Sequence, residues 1–313
     1  MYSSTLRSVD YQYQLLNFIN REYSLSATAI TPARRGFYGE TWRLDTANKR
    51  YFVKLDYSEA HHRIYERSFL VIDHLCRHGI DFISRIVKTA SDKLFARYDD
   101  AVLGIFEWFD GKNIENDATK STEYQLLAKV YAVPPDGLHI PREDFSGTAA
   151  SRFFAQWKSL DDARLYSLLE AHRANLERRA ARLKHFAALC RSDTGGFVIT
   201  HGDAGGNLLV NGNEYHLVDW DDSVLAPPER DAWNMLCHKD KRDWAGGLFH
   251  SALREQGISY TLRPERLAYY CYTMYFFYLT EYLNCFAHTG TVQGLDEYFT
   301  GWAENRVEYA DTI

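Results

Sequence analysis

Thr200-His201-Gly202-Asp203-Ala204-Gly205-Gly206-Asn207-Leu208-Leu209-Val210, followed by His216-Leu217-Val218-Asp219-Trp220-Asp221, is the stretch on which the reading of this chain turns. Apolar, strand-like runs flank its polar residues: Phe197-Val198-Ile199, Leu208-Leu209-Val210 and Leu217-Val218. Gly205 and Gly206 allow a tight loop, and Asn211-Gly212-Asn213 reads as a hairpin turn between the last two strands. The pattern predicts two carboxylates and an amide converging at neighbouring strand ends. Asp203 sits in the loop, Asn207 closes it, and Asp219 ends the next strand.

Such a set suits phosphoryl transfer. That reaction needs an acceptor hydroxyl aligned and relieved of its proton, and hard oxygen ligands for Mg²⁺ on nucleotide phosphates. Asp203 is the candidate base; Asn207 and Asp219 are the candidate metal ligands. Taken singly, each residue reads better as part of a polar turn or as an ordinary strand-end Asp. The set at this spacing, between strands, carries the chemistry.

These residues resemble the catalytic loop and metal-binding strand of the aminoglycoside phosphotransferase family, small-molecule kinases with a protein-kinase-like fold. His201-Gly202-Asp203 is similar to the start of that family's loop, and Val218-Asp219-Trp220-Asp221 to its apolar-Asp-Trp-acid element. Pro227-Pro228-Glu229-Arg230-Asp231-Ala232-Trp233 resembles a segment of one antibiotic-kinase branch. One feature departs: the family places its Asn five residues after the Asp, and Asn207 is four after Asp203. The resemblance runs from about residue 25 to about residue 285. It implies an α+β, two-lobed fold: a small lobe of antiparallel sheet plus helix over residues 1–106, a connector at 107–110, and a large, mostly helical lobe over 111–313.

The upstream residues fit that scheme. A helix is expected over 9–25, a strand over 28–33, a turn at Gly36-Phe37-Tyr38-Gly39 and a second strand over 41–44. Gly36 and Gly39 suit either a plain hairpin or a loop whose N–H groups hold an anion. In Tyr51-Phe52-Val53-Lys54-Leu55, alternation puts Phe52 and Lys54 on one face. An unpaired ammonium there is costly to bury, so Lys54 calls for phosphate oxygens and a carboxylate. The resemblance makes it the nucleotide-binding lysine. Glu66, on a helix expected over 61–78, is its candidate partner, with Glu59 the alternative. Leu103-Gly104-Ile105-Phe106-Glu107-Trp108-Phe109-Asp110-Gly111 resembles the family's connector, which implies an adenine site along Phe106, Glu107, Trp108 and Phe109.

Beyond the connector the chain reads as helices: 124–133, 149–160 and a long one over 162–191, with apolar residues near helical spacing. The resemblance implies a structural role for His201, its ring bonding backbone, and Asp203 already fills the role of base. Asp231 is expected to cap a helix start and hold the catalytic loop. The aromatic-rich segment from Tyr269 to Phe286 is mostly core, with some residues available to an acceptor pocket.

Composition agrees. A chain of 313 residues with 46% hydrophobic residues can bury a sizeable core. A net charge of −6 argues against a nucleic-acid partner. The five cysteines, 76, 190, 237, 271 and 285, show no metal spacing and suggest reduced thiols in a cytoplasmic protein. No signal peptide is apparent, and no apolar run is long enough for a membrane span. The sequence therefore predicts an ATP- or GTP-dependent, Mg²⁺-requiring kinase acting on a small-molecule hydroxyl. Its partners are a nucleotide and a small acceptor, with no nucleic acid and no membrane. The resemblance implies an aminoglycoside-like acceptor, and hence antibiotic resistance. A metabolic kinase of choline, a homoserine-like alcohol or a sugar, or a nucleotide-binding regulator without turnover, are the alternatives.

Overall fold

The computed structural model describes residues 7–33, 39–114, 116–289, 294–301 and 303–313. Gly36 lies outside them. The chain divides into two compact units: residues 1–141 with 201–224, and residues 142–200 with 225–313. Residues 111–141 and the loop around Asp203 thus group with the first unit, whereas the sequence reading put them in the second lobe.

The first unit opens with α1 (Val9–Tyr23), capped by the Ser8 hydroxyl, which accepts from Tyr11 N at 3.2 Å. Then come β1 (Ala27–Pro32), β2 (Gly39–Thr46), β3 (Arg50–Asp56), α2 (Glu59–Arg77), β4 (Ala96–Tyr98) and β5 (Ala101–Glu107). The strands form an antiparallel sheet in the order β1-β2-β3-β5-β4. Strand alternation sorts the two faces. Val53, Leu55, Leu103 and Ile105 turn into a core closed by Leu15 and Ile19 of α1. Phe52, Lys54, Gly104 and Phe106 take the other face, towards α2. Gly104 leaves room there for α2: a Cβ on it would lie 2.4 Å from the Phe69 ring and 2.8 Å from the Tyr65 hydroxyl.

Two-residue β6 (Lys112–Asn113) follows, then α3 (Asp117–Tyr131). α3 starts well before the expected residue 124. Asn116 and Thr119 form a reciprocal capping box that adds two turns.

The second unit holds α4 (Ala149–Lys158), α5 (Ala163–Ala171), α6 (Arg173–Arg191) and β7 (Val198–Thr200). The single helix expected over 162–191 is two. The break falls at His172, whose N–H turns back to Leu169 O at 3.0 Å and whose ring stacks on Phe299 at 4.0 Å.

The chain then re-enters the first unit with β8 (Leu208–Asn211) and β9 (Glu214–Leu217), which pair across the Gly212-Asn213 turn, Gly212 having φ +59°. β6 adds to the free edge of β8. The second unit resumes with β10 (Val224–Ala226), α7 (Glu229–Leu236), α8 (Arg242–Glu255), α9 (Pro264–Thr289), α10 (Leu295–Thr300) and α11 (Glu304–Thr312). β7 pairs with β10, so the three strands flanking the polar loop belong to two sheets rather than lying side by side. Most of the α9 aromatics, including Tyr269, Tyr272, Tyr275 and Phe276, are buried core. Cys76, Cys190, Cys237 and Cys271 are free thiols. Among the described residues no helix is long and apolar enough to cross a membrane.

Candidate active site

The polar loop is built around a buried ring. His201 follows β7, and Gly202, at φ +90°, turns the chain so that Asp203 begins a 3-10 turn over Ala204–Gly206. His201 is fully buried. Its Nε2 lies 3.0 Å from Val218 O, while its Nδ1 accepts from Asp203 N at 3.2 Å. Those partners assign a neutral ring protonated on Nε2. Asn207 closes the turn: its amide donates to Asp203 O at 2.7 Å and to Asp203 Oδ2 at 3.1 Å. Val218 N donates to Asn207 O at 3.0 Å. Asp203, Asn207 and the residue before Asp219 are therefore joined by direct hydrogen bonds.

Asp219 lies two residues past the end of β9, in left-handed backbone at φ +63°. A side chain rarely adopts that region outside turns, although Asp is among the residues that tolerate it. The reversal is fixed by Trp220, which is buried and donates from Nε1 to Leu217 O at 3.1 Å. It brings Asp219 and Asp221 to one cation, Lys54. The Lys54 ammonium sits 3.1 Å from Asp219 Oδ1 and 2.6 Å from Asp221 Oδ2, and 4.9 Å from the centre of the Tyr65 ring.

The charges shape one another. Burial opposes the Lys54 charge, but the two carboxylates outweigh it and its pKa is raised. Desolvation also opposes ionisation of Asp219, yet Lys54 holds its pKa below the ordinary carboxylate range. Asp221 is raised, by burial first and by the like charge of Asp219, in spite of Lys54. Asp203 is raised too. The residue is exposed, but the protein beside its carboxyl desolvates it, and Asp222 and Asp219 add like charge against the opposing hydrogen bond from Asn207.

Glu66 is not brought to Lys54. It is held by Arg97 of β4, so the expected pair is replaced by the pairs with Asp219 and Asp221. Glu59, the alternative, is exposed at the start of α2. Gly39 is on β2 opposite Asp56, where a Cβ would lie 1.8 Å from Leu55 O; its small size serves strand packing. Asp231 is in the first turn of α7, in the second unit. The N-cap position is Pro228, so Asp231 is not the cap. Glu229 is the buried acid of that turn, accepting from Tyr260 Oη and Arg263 N, each at 2.7 Å.

The connector residues lie in the first unit at the end of β5. Phe106 is buried, paired with Phe52 across the ladder and stacked on Phe69 at 5.5 Å. Glu107 is exposed. Trp108 donates to Asp110 at 2.8 Å, and Arg50 grips the same carboxylate. Phe109 stacks on His216 of β9 at 3.9 Å. A cavity of about 490 Å³ opens beside Glu107, Trp108 and Asp110 and is otherwise lined by residues 46–51. Lys54, Asp203, Asp219 and Asp221 do not line it.

Among the described residues no group of three or more His, Cys, Asp or Glu side chains is arranged around a metal. The donors present are one amide and acidic oxygens, and the ammonium of Lys54 already stands against Asp219 as a cation would. This fits a hard divalent ion that takes one or two protein oxygens and completes its shell with phosphates and water.

The sequence pattern of the phosphotransferase enzyme family matches residues 29–269. The chain belongs to that family. It is a phosphotransferase. No curated protein sequence matches it. Among solved structures, it is similar to spectinomycin phosphotransferase APH(9)-Ia in complex with ADP and spectinomycin. That likeness has a TM-score of 0.74 at 19% identity and covers 96% of this chain and 97% of the other. Amicoumacin kinase hAmiN, bound to AMP-PNP, Ca²⁺ and amicoumacin, gives 0.63 at 15%, over 96% and 93%. Choline kinase LicA from Streptococcus pneumoniae gives 0.62 at 13%, over 97% and 100%. At these identities the likeness shows the fold, which is protein-kinase-like.

The sequence reading assigned no role to Asp221, Tyr65 or His216. For Asp221 a signal was present: an acid two residues from Asp219 in an otherwise apolar run. For Tyr65 and His216 nothing local distinguishes them from core.

Proposed function

We propose that this phosphotransferase moves the γ-phosphate of ATP, or of GTP, to a hydroxyl of an aminoglycoside-like antibiotic. The observation that carries the reading is the contact of Lys54 with Asp219, beside a loop in which Asn207 holds Asp203. Lys54 binds phosphate oxygens. Asn207 and Asp219 hold Mg²⁺, which when bound neutralises charge on the phosphates. Asp203, fixed by the Asn207 amide and through its own N–H by His201, orients the acceptor hydroxyl and takes its proton. Its raised pKa brings it nearer the range of an effective base. Positioning and charge stabilisation then supply the rate.

In this reading residues 1–106 carry the nucleotide, residues 107–110 connect, adenine is contacted along Phe106 to Phe109, and the mostly helical remainder, 111–313, takes the acceptor. His201 and Asp231 are supports, the first by its backbone bonds and the second by its negative charge in the first turn of α7. Free thiols and an ATP requirement suit the cytoplasm. The test is an ADP-release screen with Mg²⁺ over aminoglycosides, choline, amino alcohols and sugars. Turnover on aminoglycosides supports the proposal. Turnover confined to choline or an amino alcohol overturns the acceptor, and none with any acceptor overturns the reaction.

A further inference from the structure

We infer that Asp221 is the positioning residue for Lys54, taking the place of a carboxylate on α2 and keeping the lysine seated when Asp219 is engaged elsewhere. The inference rests on the nucleotide role of Lys54 proposed above.

Three observations lead to it. First, α2 offers Lys54 no acid. Of its carboxylates, Glu66 is bound to Arg97, Asp73 is bound to Arg77 and Lys88, and Glu59 is exposed at the helix start. What α2 presents instead is Tyr65, fully buried, whose ring faces the ammonium and whose hydroxyl donates to Lys54 O at 3.2 Å. An aromatic face attracts a cation but supplies no counter-charge.

Second, the two acids that do meet Lys54 differ. The Asp219 side chain is 52% exposed and 3.1 Å away; Asp221 is 13% exposed and 2.6 Å away. Asp219 keeps an open side for other ligands. Asp221 is enclosed with the ammonium, whose own side chain is 15% exposed. An enclosed charge-assisted bond is the more strongly directing of the two.

Third, the separation is built into the backbone. The left-handed turn at Asp219 and the burial of Trp220 bring residues 219 and 221 to the same nitrogen. When Asp219 turns to a metal–nucleotide complex, Lys54 still has Asp221. Without Asp221, its ammonium has only Asp219, and it competes with the metal for that oxygen.

The test compares Asp221→Asn, Asp221→Glu and Glu66→Gln with the unaltered chain, by calorimetric titration with two probes. AMP-PNP with Mg²⁺ engages the lysine through its outer phosphates; AMP reports only the adenosine end and the integrity of the fold. Asp221→Asn is expected to weaken binding of the Mg²⁺ complex at least tenfold and to leave AMP within twofold. Asp221→Glu recovers part of the loss, and Glu66→Gln changes neither probe. Equal losses for both probes in Asp221→Asn, or a selective loss in Glu66→Gln instead, overturn the inference while leaving the nucleotide site in place. Failure of the unaltered chain to bind either probe overturns the nucleotide reading and this inference together.

Discussion

His201 and Val218 are joined ring to backbone: the imidazole Nε2 donates to the Val218 carbonyl at 3.0 Å, and the opposite nitrogen accepts from Asp203 N. One neutral ring thus ties the start of the polar loop to the segment that carries Asp219. It also packs on Trp220 at 4.5 Å. Replacing it leaves a void and two unmet backbone groups. His201→Ala should lose about 2–4 kcal/mol of stability in urea unfolding. Turnover should fall as well, because Asp203 loses its anchor. A loss under about 0.5 kcal/mol would mean that the loop holds itself.

Asp203 can be separated from that scaffold. Its carboxyl is raised by desolvation and by nearby acids. A base must be ionised, so the acid limb of kcat/KM should lie above the ordinary aspartate value of about 3.9. The sign for stability runs the other way. A carboxyl with a folded pKa above its unfolded one binds its proton better when folded, so its ionisation costs stability as pH rises through the folded pKa. Asp203→Asn removes that cost and keeps an acceptor for the Asn207 amide. Turnover should therefore drop by about 10²–10⁴-fold with no loss of melting temperature at neutral pH. ADP release and thermal unfolding on one preparation check both; a large drop in melting temperature would contradict the account.

What was legible in the sequence was what periodicity and short spacing determine. Tyr51 to Leu55 alternates, and the alternation does place Lys54 on the face opposite Val53 and Leu55. The strands of the sheet lie within a few residues of where their apolar runs put them. The hairpin at Gly212 forms as its Asn-Gly-Asn signal predicts. Long-range partner choice was not legible. Glu66 occupies a reasonable helix position, but Arg97, 31 residues on, takes it. The helix break at His172 carries no Gly or Pro, and the His172 ring stacks on Phe299, far along the chain. β6 is two residues long and exists because β8 has a free edge to pair. The metal and base roles of Asn207, Asp219 and Asp203 remain the proposal tested above, and the geometry supplies the hydrogen bonds that make it specific.

Gly39 and Gly212 are glycines for different reasons, and substitution should tell them apart. A Cβ at Gly39 would meet Leu55 O at 1.8 Å, a backbone atom with no freedom to rotate away. Gly39→Ala must push β2 off β3, and should cost about 1–3 kcal/mol or more. The shift is passed to β3, where Thr41 pairs with Lys54, so the apparent KM for nucleotide should rise too. Gly212 has open space around it, and its φ of +59° sets the cost, about 1–2 kcal/mol for Ala. Gly212→Ala should leave the nucleotide KM unchanged. Parallel melts and nucleotide titrations distinguish the two; a KM shift only in Gly212→Ala would reverse the assignment.

Lys54→Met tests how the acidic pair is held. With the ammonium gone, Asp219 and Asp221 face each other without a counter-charge. Removing one partner of a buried pair costs about 3–5 kcal/mol. Because half of Asp219 is open to solvent, the expected loss is smaller, roughly 2–4 kcal/mol. The pH dependence follows from the two shifts. Lys54 has a raised pKa, so its contribution is complete below the ordinary lysine value of about 10.4 and fades only as pH climbs through the folded one. Asp219 is lowered, so its share is present above the ordinary carboxylate value of about 3.9 and is lost as pH falls through the folded one. The difference between the two proteins should therefore narrow in acid, as the carboxylates that face Lys54 take up protons. Mg²⁺ or Mn²⁺ should stabilise the variant more than the unaltered chain, since no resident cation competes, by about 1.4 kcal/mol at ten times the dissociation constant. Melting curves with metal and with chelator read this directly. Equal metal effects on both proteins would mean that Lys54 and the metal do not share Asp219, and the assignment of that carboxylate as a ligand would fall with them.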